Sequence, residues 1–271
     1  MENTKTSNNL FHKIANKIIG LFKWLFDFND WRMLLRSIPG LVTTIFVVSV
    51  VVMNLMASKV IVSTPYLGIT GGLLLSWIPF LTMDIVVKTY GFKAANKLNI
   101  LGLLINLVCI GFFQLVASIQ FGGDENQFIE FNHTFSQTWQ IFLASSIAFL
   151  VSGIINNAFN AIIGKLYSKN PDGKVAYMLR TYISTMFGQF VDNFIFAGLA
   201  FLVFFRFSVG STFGYTLLSV LGTAILGAIL ELGMEVVFSP IGYRICKKWK
   251  NEEVGNDYKN YCNHYYPLTS E

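Results

Sequence analysis

Six stretches of this chain are apolar over the length a helix needs to cross a bilayer. They fall near 41–62, 70–90, 98–120, 138–165, 181–205 and 212–243. A hydrocarbon core about 30 Å thick takes roughly 20 helical residues, and every backbone polar group inside it must be satisfied by the segment itself or by a closed barrel. Barrel strands alternate apolar and polar at every second residue. These stretches run apolar on all sides instead, so helices are expected. Composition agrees: 54% of the 271 residues are hydrophobic, 26 are Phe and only 13% are charged, about half the charge of a soluble domain. The expected fold is all-α and integral to the membrane, a six-transmembrane-helix bundle.

Lys and Arg set the orientation. All but Lys59 and Arg206 of the 20 basic residues fall in the N-terminal segment, the second-to-third and fourth-to-fifth connections, and the tail. Asp124, Glu125 and Glu130 lie in the third-to-fourth loop. Basic connections stay in the cytoplasm, so both termini are expected there, in a multi-pass protein of the cell membrane. The net charge of +5 is spread between apolar stretches, which suits membrane topology and not nucleic acid. Residues 10–36 carry Ile14, Ile18, Leu21, Leu25 and Phe28 at helical spacing with Lys13, Lys17 and Lys23 between them. That pattern reads as an amphipathic helix lying in the lipid headgroups. Three divisions follow: a cytoplasmic amphipathic segment over 1–39, a transmembrane domain over 40–246 and a cytoplasmic tail over 247–271. Cys109, Cys246 and Cys262 show no paired spacing, and no cleavable leader, internal repeat or metal-ligand pattern is expected.

Inside the apolar stretches lie Asp84, Asp192, Glu231 and Glu235. A carboxylate at mid-membrane costs about 2.5–3.5 kcal/mol even on insertion scales and usually faces a bundle interior, a cavity or a pathway. A chain that only anchors itself has little use for four. In the fifth stretch Ser184, Gly188 and Asp192 recur at i, i+4 and i+8, with Thr185, Gln189 and Asn193 beside them. The fourth carries Ser152, Asn156, Asn157 and Asn160; adjacent Asn156 and Asn157 cannot share a face, so one must meet a neighbouring helix. Asp84 and Lys88 stand four apart, as an ion pair at the helix end would, or as a functional acid. Glu231 and Glu235 repeat that spacing with like sign, which calls for a ligand, a cation or a proton. Lys59 is placed to snorkel or to partner one of these acids. Carboxylate and amide acceptors walled by Phe187, Phe190 and Phe194 suit a planar ligand with several N–H donors.

Several segments have a familiar look. FLTMDIVVKTYGFKAANK, FLASSIAFLVSGIINNAFNAII, MLRTYISTMFGQFVDNFIFAGLAF, MNLMASKVI and ELGMEVVFSPIGY resemble, in order over roughly 40–246, the queuosine-precursor transporter family, also called the vitamin-uptake transporter family. The resemblance implies a six-helix fold like the substrate-binding components of energy-coupling-factor transporters, and uptake of cyano- or aminomethyl-deazaguanine. Asp84, Gln189 and Asp192 match family positions, and Glu235 matches the acid before the sixth-span proline. The chain departs where the family often has an aspartate, here Asn156, and a lysine, here Glu231; both bear on which molecule is carried.

The reading is a membrane importer of a planar, purine-like small molecule, with Asp192, Gln189, Asn193, Asp84, Asn156, Glu231 and Glu235 as the candidate substrate-binding set. No cofactor is expected. The alternative is a substrate-capture subunit for another vitamin that needs a separate ATPase module, since no GxxxxGK[ST] motif occurs. Membrane lipid and a second copy of the chain complete the expected partners. A membrane enzyme is disfavoured because His12, His133 and His264 lie outside the stretches; a scaffold is disfavoured by the buried acids, though Ala224 and Ala228 suit helix packing in any case.

Overall fold

The computed structural model describes residues 24, 26–64, 66–119, 129, 132, 135, 139–167, 172–204 and 216–265. Residues 10–23 of the amphipathic segment and most of the loop over 121–137 lie outside the described residues. Among the described residues six helices are long and apolar enough to span a membrane. After a short α1 (Phe28–Ser37) come α2 (Gly40–Ala57), α3 (Leu73–Tyr90), α4 (Phe92–Ser118), α5 (Trp139–Leu166), α6 (Lys174–Ala197) and α7 (Leu217–Asn251), then a terminal α8 (Asn256–Tyr265). The last turns of the fifth span, Gly198–Phe204, are π-helical.

The bundle is apolar outside and polar within. Leu104, Val108, Phe112, Ile162, Ile229 and Val237 are exposed, whereas Asn54, Asp84, Asn99, Asn106, Gln189 and Glu235 are buried. In lipid this is the favourable arrangement, because tails offer no reward for hiding Leu while polar groups glue helices. α3 is the central element: it touches α2, α4, α5, α6 and α7, and 67% of its apolar window is buried against 11% for α4. Lipid therefore meets α4, and α3 faces protein. Trp77 of α3 stacks on Phe238 of α7 at 4.1 Å.

Glycines set the closest approaches. A Cβ on Gly188 of α6 would lie 2.9 Å from Asn156 Cβ on α5 and 2.9 Å from Phe80 Cε1 on α3. Three helices meet there because one of them has no side chain. Asn99 Nδ2 donates to Leu150 O at 3.1 Å and Asn106 Nδ2 to Ser146 Oγ at 2.8 Å, tying α4 to α5.

The first span stops short of the expected residue 62. Val60–Thr64 forms strand β1, paired antiparallel with β2 (Leu67–Thr70). Val60, Ile61, Val62 and Thr64 are β-branched and suit a pleated strand, but by apolarity alone they extend a helix. Gly71 and Gly72 bring the chain back against α2, where a Cβ would meet Met56 O at 2.8 Å and Met53 O at 2.7 Å.

Of the basic residues expected in connections, Lys97 and Arg180 are buried inside helices. Lys97 is buried in α4 and forms an ion pair with buried Asp30 of α1 at 2.6 Å, between the Trp24 and Trp31 rings. Arg180 is buried in α6. α1 is thereby part of the packed structure: Asp27 caps it by accepting from Asn29 N and Asp30 N, α8 packs on it, and Tyr90 Oη donates to Ser37 O at 2.7 Å.

Candidate functional site

The intramembrane acids sort into two clusters. The first surrounds Glu231, which α7 delivers into the bundle at 1% exposure. Ser76 Oγ of α3 donates to its Oε1 in a very short contact, and Asn193 Nδ2 of α6 donates to Oε2 at 2.7 Å. With the Gln189 amide turned so that nitrogen faces the acid, it donates to the same carboxylate at 2.9 and 3.3 Å. Asn193 lies flat on α7 because residue 227 is glycine; a Cβ there would come within 2.7 Å of the Asn193 amide. Asp192, half-buried, accepts from Ser152 Oγ of α5 at 2.7 Å.

Ser76, Asp192, Asn193 and Glu231 border one small cavity. Asp192, Asn193, Glu231, Ser76, Ser145 and Thr223 supply its polar lining and Met53, Ala57 and Phe196 its apolar wall. The hairpin closes one side through Gly68, Ile69 and Thr70, and Gly68 N donates to Thr223 Oγ1 at 3.0 Å, fastening β2 to α7. About 30 Å³ is open to the centres of water-sized molecules. One water needs about 10–15 Å³ on that measure, so the cavity as it stands accommodates a couple of waters. Among the described lining residues two are acids and none is Lys, Arg or His. Such a lining favours ligands that donate hydrogen bonds over ligands that accept them.

The second cluster surrounds Asp84, fully buried on α3. Asn156 Nδ2 donates to Asp84 Oδ1 at 2.8 Å, and Ser184 Oγ lies 3.4 Å from the same oxygen. Asn160 bridges onward: its Nδ2 donates to Ser184 Oγ at 3.4 Å and its Oδ1 accepts from Arg180 Nε at 2.8 Å. Gly164 makes room for the guanidinium, since a Cβ would lie 2.9 Å from Nη1. Glu235 is buried on α7, and neither of its carboxyl oxygens has a hydrogen-bond partner.

The two asparagines do diverge. Asn156 reaches Asp84 on α3, and Asn157 Nδ2 donates to Asn96 Oδ1 on α4 at 2.8 Å. The polar face of α6 is also as expected, with Ser184, Thr185, Gly188, Gln189 and Asn193 all buried. Asp84 and Lys88, however, do not pair. Lys88 turns to Asp172, 3.4 Å away, which Lys250 of α7 also contacts. Those two cations, Lys250 foremost, hold the Asp172 carboxyl below the ordinary carboxylate range. Nor do the three phenylalanines wall the cavity. Phe187 is exposed and stacks on Phe159 at 4.5 Å, and Phe190 stacks on Phe194 at 6.0 Å. Lys59 is exposed at the turn before β1 and joins no described acid in an ion pair.

Arg180, Ser76, Ser145 and Thr223 are site residues absent from the candidate set of the sequence reading. Arg180 had a signal: it stands four residues before Ser184, on the face that continues through Gly188 to Asp192. Ser76 had none beyond being polar in an apolar stretch.

No curated protein and no solved structure matches the chain. A family model described as "Putative vitamin uptake transporter" matches residues 70–245, from the end of β2 to the later part of α7. That stretch contains both acid clusters and covers more than half of the chain. The protein is a multi-pass membrane protein that belongs to the vitamin uptake transporter family.

Proposed function

We propose that this transporter imports a planar heterocycle bearing several N–H donors, a cyano- or aminomethyl-deazaguanine of the kind that precedes queuosine. The cargo would sit in the cavity between α3, α6 and α7 and be released unchanged. The observation that carries the reading is that Asp192 and Glu231 border one cavity together with Asn193 and Ser76. Ionised carboxylates accept paired N–H groups at close range, and charge-assisted hydrogen bonds are roughly twice as strong as neutral ones. Gln189 and Asn193 now occupy Glu231; the ligand's donors would take over from them. A site whose buried acceptors demand partners rejects analogues that lack a donor. Room for a bicyclic ring would require the hairpin and the ends of α2 and α6 that border the cavity to draw apart.

Asp84, Asn156, Gln189 and Glu235 do not line the cavity; we assign Asp84, Asn156 and Gln189 to the support of the site and leave Glu235 outside the binding set. The basic residues favour cytoplasmic termini in the cell membrane, with 1–39 and 247–271 flanking the transporter domain on that side. The missing GxxxxGK[ST] motif keeps a second reading in view, a capture subunit energised by a separate ATPase module.

Isothermal titration of the purified full chain with cyano-deazaguanine tests the reading. Binding is expected, and Asp192→Ala is expected to weaken it by about 10- to 150-fold, the loss of one hydrogen bond to a charged group at roughly 1.5–3 kcal/mol. No binding by folded protein refutes the cargo; binding unchanged in Asp192→Ala refutes the site. Uptake by liposomes holding this chain alone argues against the ATPase-dependent reading.

A further inference from the structure

Glu235 takes no part in the cargo cavity. Its side chain is fully buried, both carboxyl oxygens lack a hydrogen-bond partner, and it joins no ion pair among the described residues. The groups that face it are few. From α3 comes Asp84, which repels it. From α6 comes Tyr177, buried and with its hydroxyl unpartnered. Arg180 of α6 is engaged with Asn160 and acts on Asp84. On α7 itself, Glu231 stands one turn away with its oxygens taken by Ser76 and Asn193, and Cys246 lies beyond toward Tyr177.

An ionised carboxylate in these surroundings would have neither donor nor counter-ion and would stand beside a second acid, a placement that costs several kcal/mol. A proton removes that cost without needing space. We propose that Glu235 is the proton-carrying group of a proton-coupled importer, distinct from the substrate cavity. This rests on the import reading above.

The placement also supplies the coupling. Glu231 and Glu235 are four residues apart on one helix, about 6 Å along it, so a shift of α7 that opens the cavity moves both acids together. Pro240 stands one turn further on; it removes the ladder bond to the carbonyl of Val236 and gives α7 a place to bend. In each cycle the Glu235 carboxylate would take one proton from the outer side, cross as a neutral acid and release that proton inside. With an uncharged cargo, one positive charge enters per turnover.

The test uses the full chain in liposomes, with labelled cyano-deazaguanine and an inward proton gradient. Wild type is expected to accumulate the cargo and an uncoupler to abolish accumulation. Glu235→Gln keeps shape without the proton chemistry. It should bind the cargo within about threefold of wild type, exchange it across the membrane, and accumulate none. Accumulation by Glu235→Gln equal to wild type, or wild-type uptake indifferent to the gradient, overturns the proposal. Infrared spectroscopy needs no cargo: the wild type should show a neutral-acid C=O band that Glu235→Gln lacks, and identical spectra overturn the proposal. If titration finds no binding by wild type, the cargo reading fails while the infrared result still decides the proton site.

Discussion

Replacing Lys97 with methionine should cost this protein more than replacing both members of its ion pair. Lys97 and Asp30 are both buried, 2.6 Å apart, and Asp30 Oδ1 has no other partner. Removing the cation alone leaves a carboxylate buried between α1 and α4, a change worth about 3–5 kcal/mol. The Trp24 and Trp31 rings, each 5.3 Å from the ammonium, add roughly 0.5–2 kcal/mol apiece as desolvated cation–π contacts. At about 2–4 °C per kcal/mol for a chain of this size, the uncompensated charge alone should lower the Tm of Lys97→Met by roughly 6–20 °C. The double variant Asp30→Asn/Lys97→Met removes both charges and should recover most of that loss, because a buried pair is often no better than neutral groups of the same size. Thermal unfolding in detergent, followed by tryptophan fluorescence, reads all three proteins. Effects that simply add, with the double variant as unstable as the sum of the singles, would refute the reasoning and show that α1 is not held through this pair.

Two further outcomes follow from the packing and the charge pattern. Gly188→Ala pushes a methyl to within 2.9 Å of both Asn156 Cβ and Phe80 Cε1; it should cost about 1–3 kcal/mol as overpacking, and an unchanged Tm would mean that α6 moves away freely. Asp172 has its folded pKa held below its ordinary value of 3.8 by Lys250 and Lys88. Its contribution is therefore present above that value and lost as pH falls through the lowered one. Wild type should exceed Asp172→Asn in Tm at neutral pH, and the gap should close below about pH 4 and narrow with salt, since the pair is half-exposed and screened. A gap that persists in acid contradicts this.

The helices were legible because lipid imposes a length and an apolarity that hydropathy reads directly. Their ends were not. Val60–Thr64 is as apolar as a helix end, and only its pairing with Leu67–Thr70 makes it a strand. A charge normally leaves the membrane, so sequence alone puts Lys97 and Arg180 in connections; each stays buried because a specific partner, Asp30 or Asn160, waits on another helix. The candidate acids could be found from the cost of burying them. Which of them meet could not, since Glu231 and Glu235 share a spacing and a face yet fall into different surroundings: one is held by Ser76 and Asn193, the other by nothing. That division depends on α3 and α6, whose positions no spacing along α7 encodes.

The spans differ in height. The 18 residues of α2 and of α3 rise about 27 Å, and the 35 of α7 about 52 Å. Around one bundle the bilayer therefore meets a low wall, beside the hairpin that joins α2 to α3, and a tall one at α7. Lipid should thin against the low wall, and α7 must tilt or stand proud of the membrane. Each ångström of such mismatch costs a fraction of a kcal/mol. Bilayer thickness thus becomes a load on the hairpin side of the cavity: thicker lipid would press on the elements that have to part for cargo to enter, and thinner lipid would relieve them.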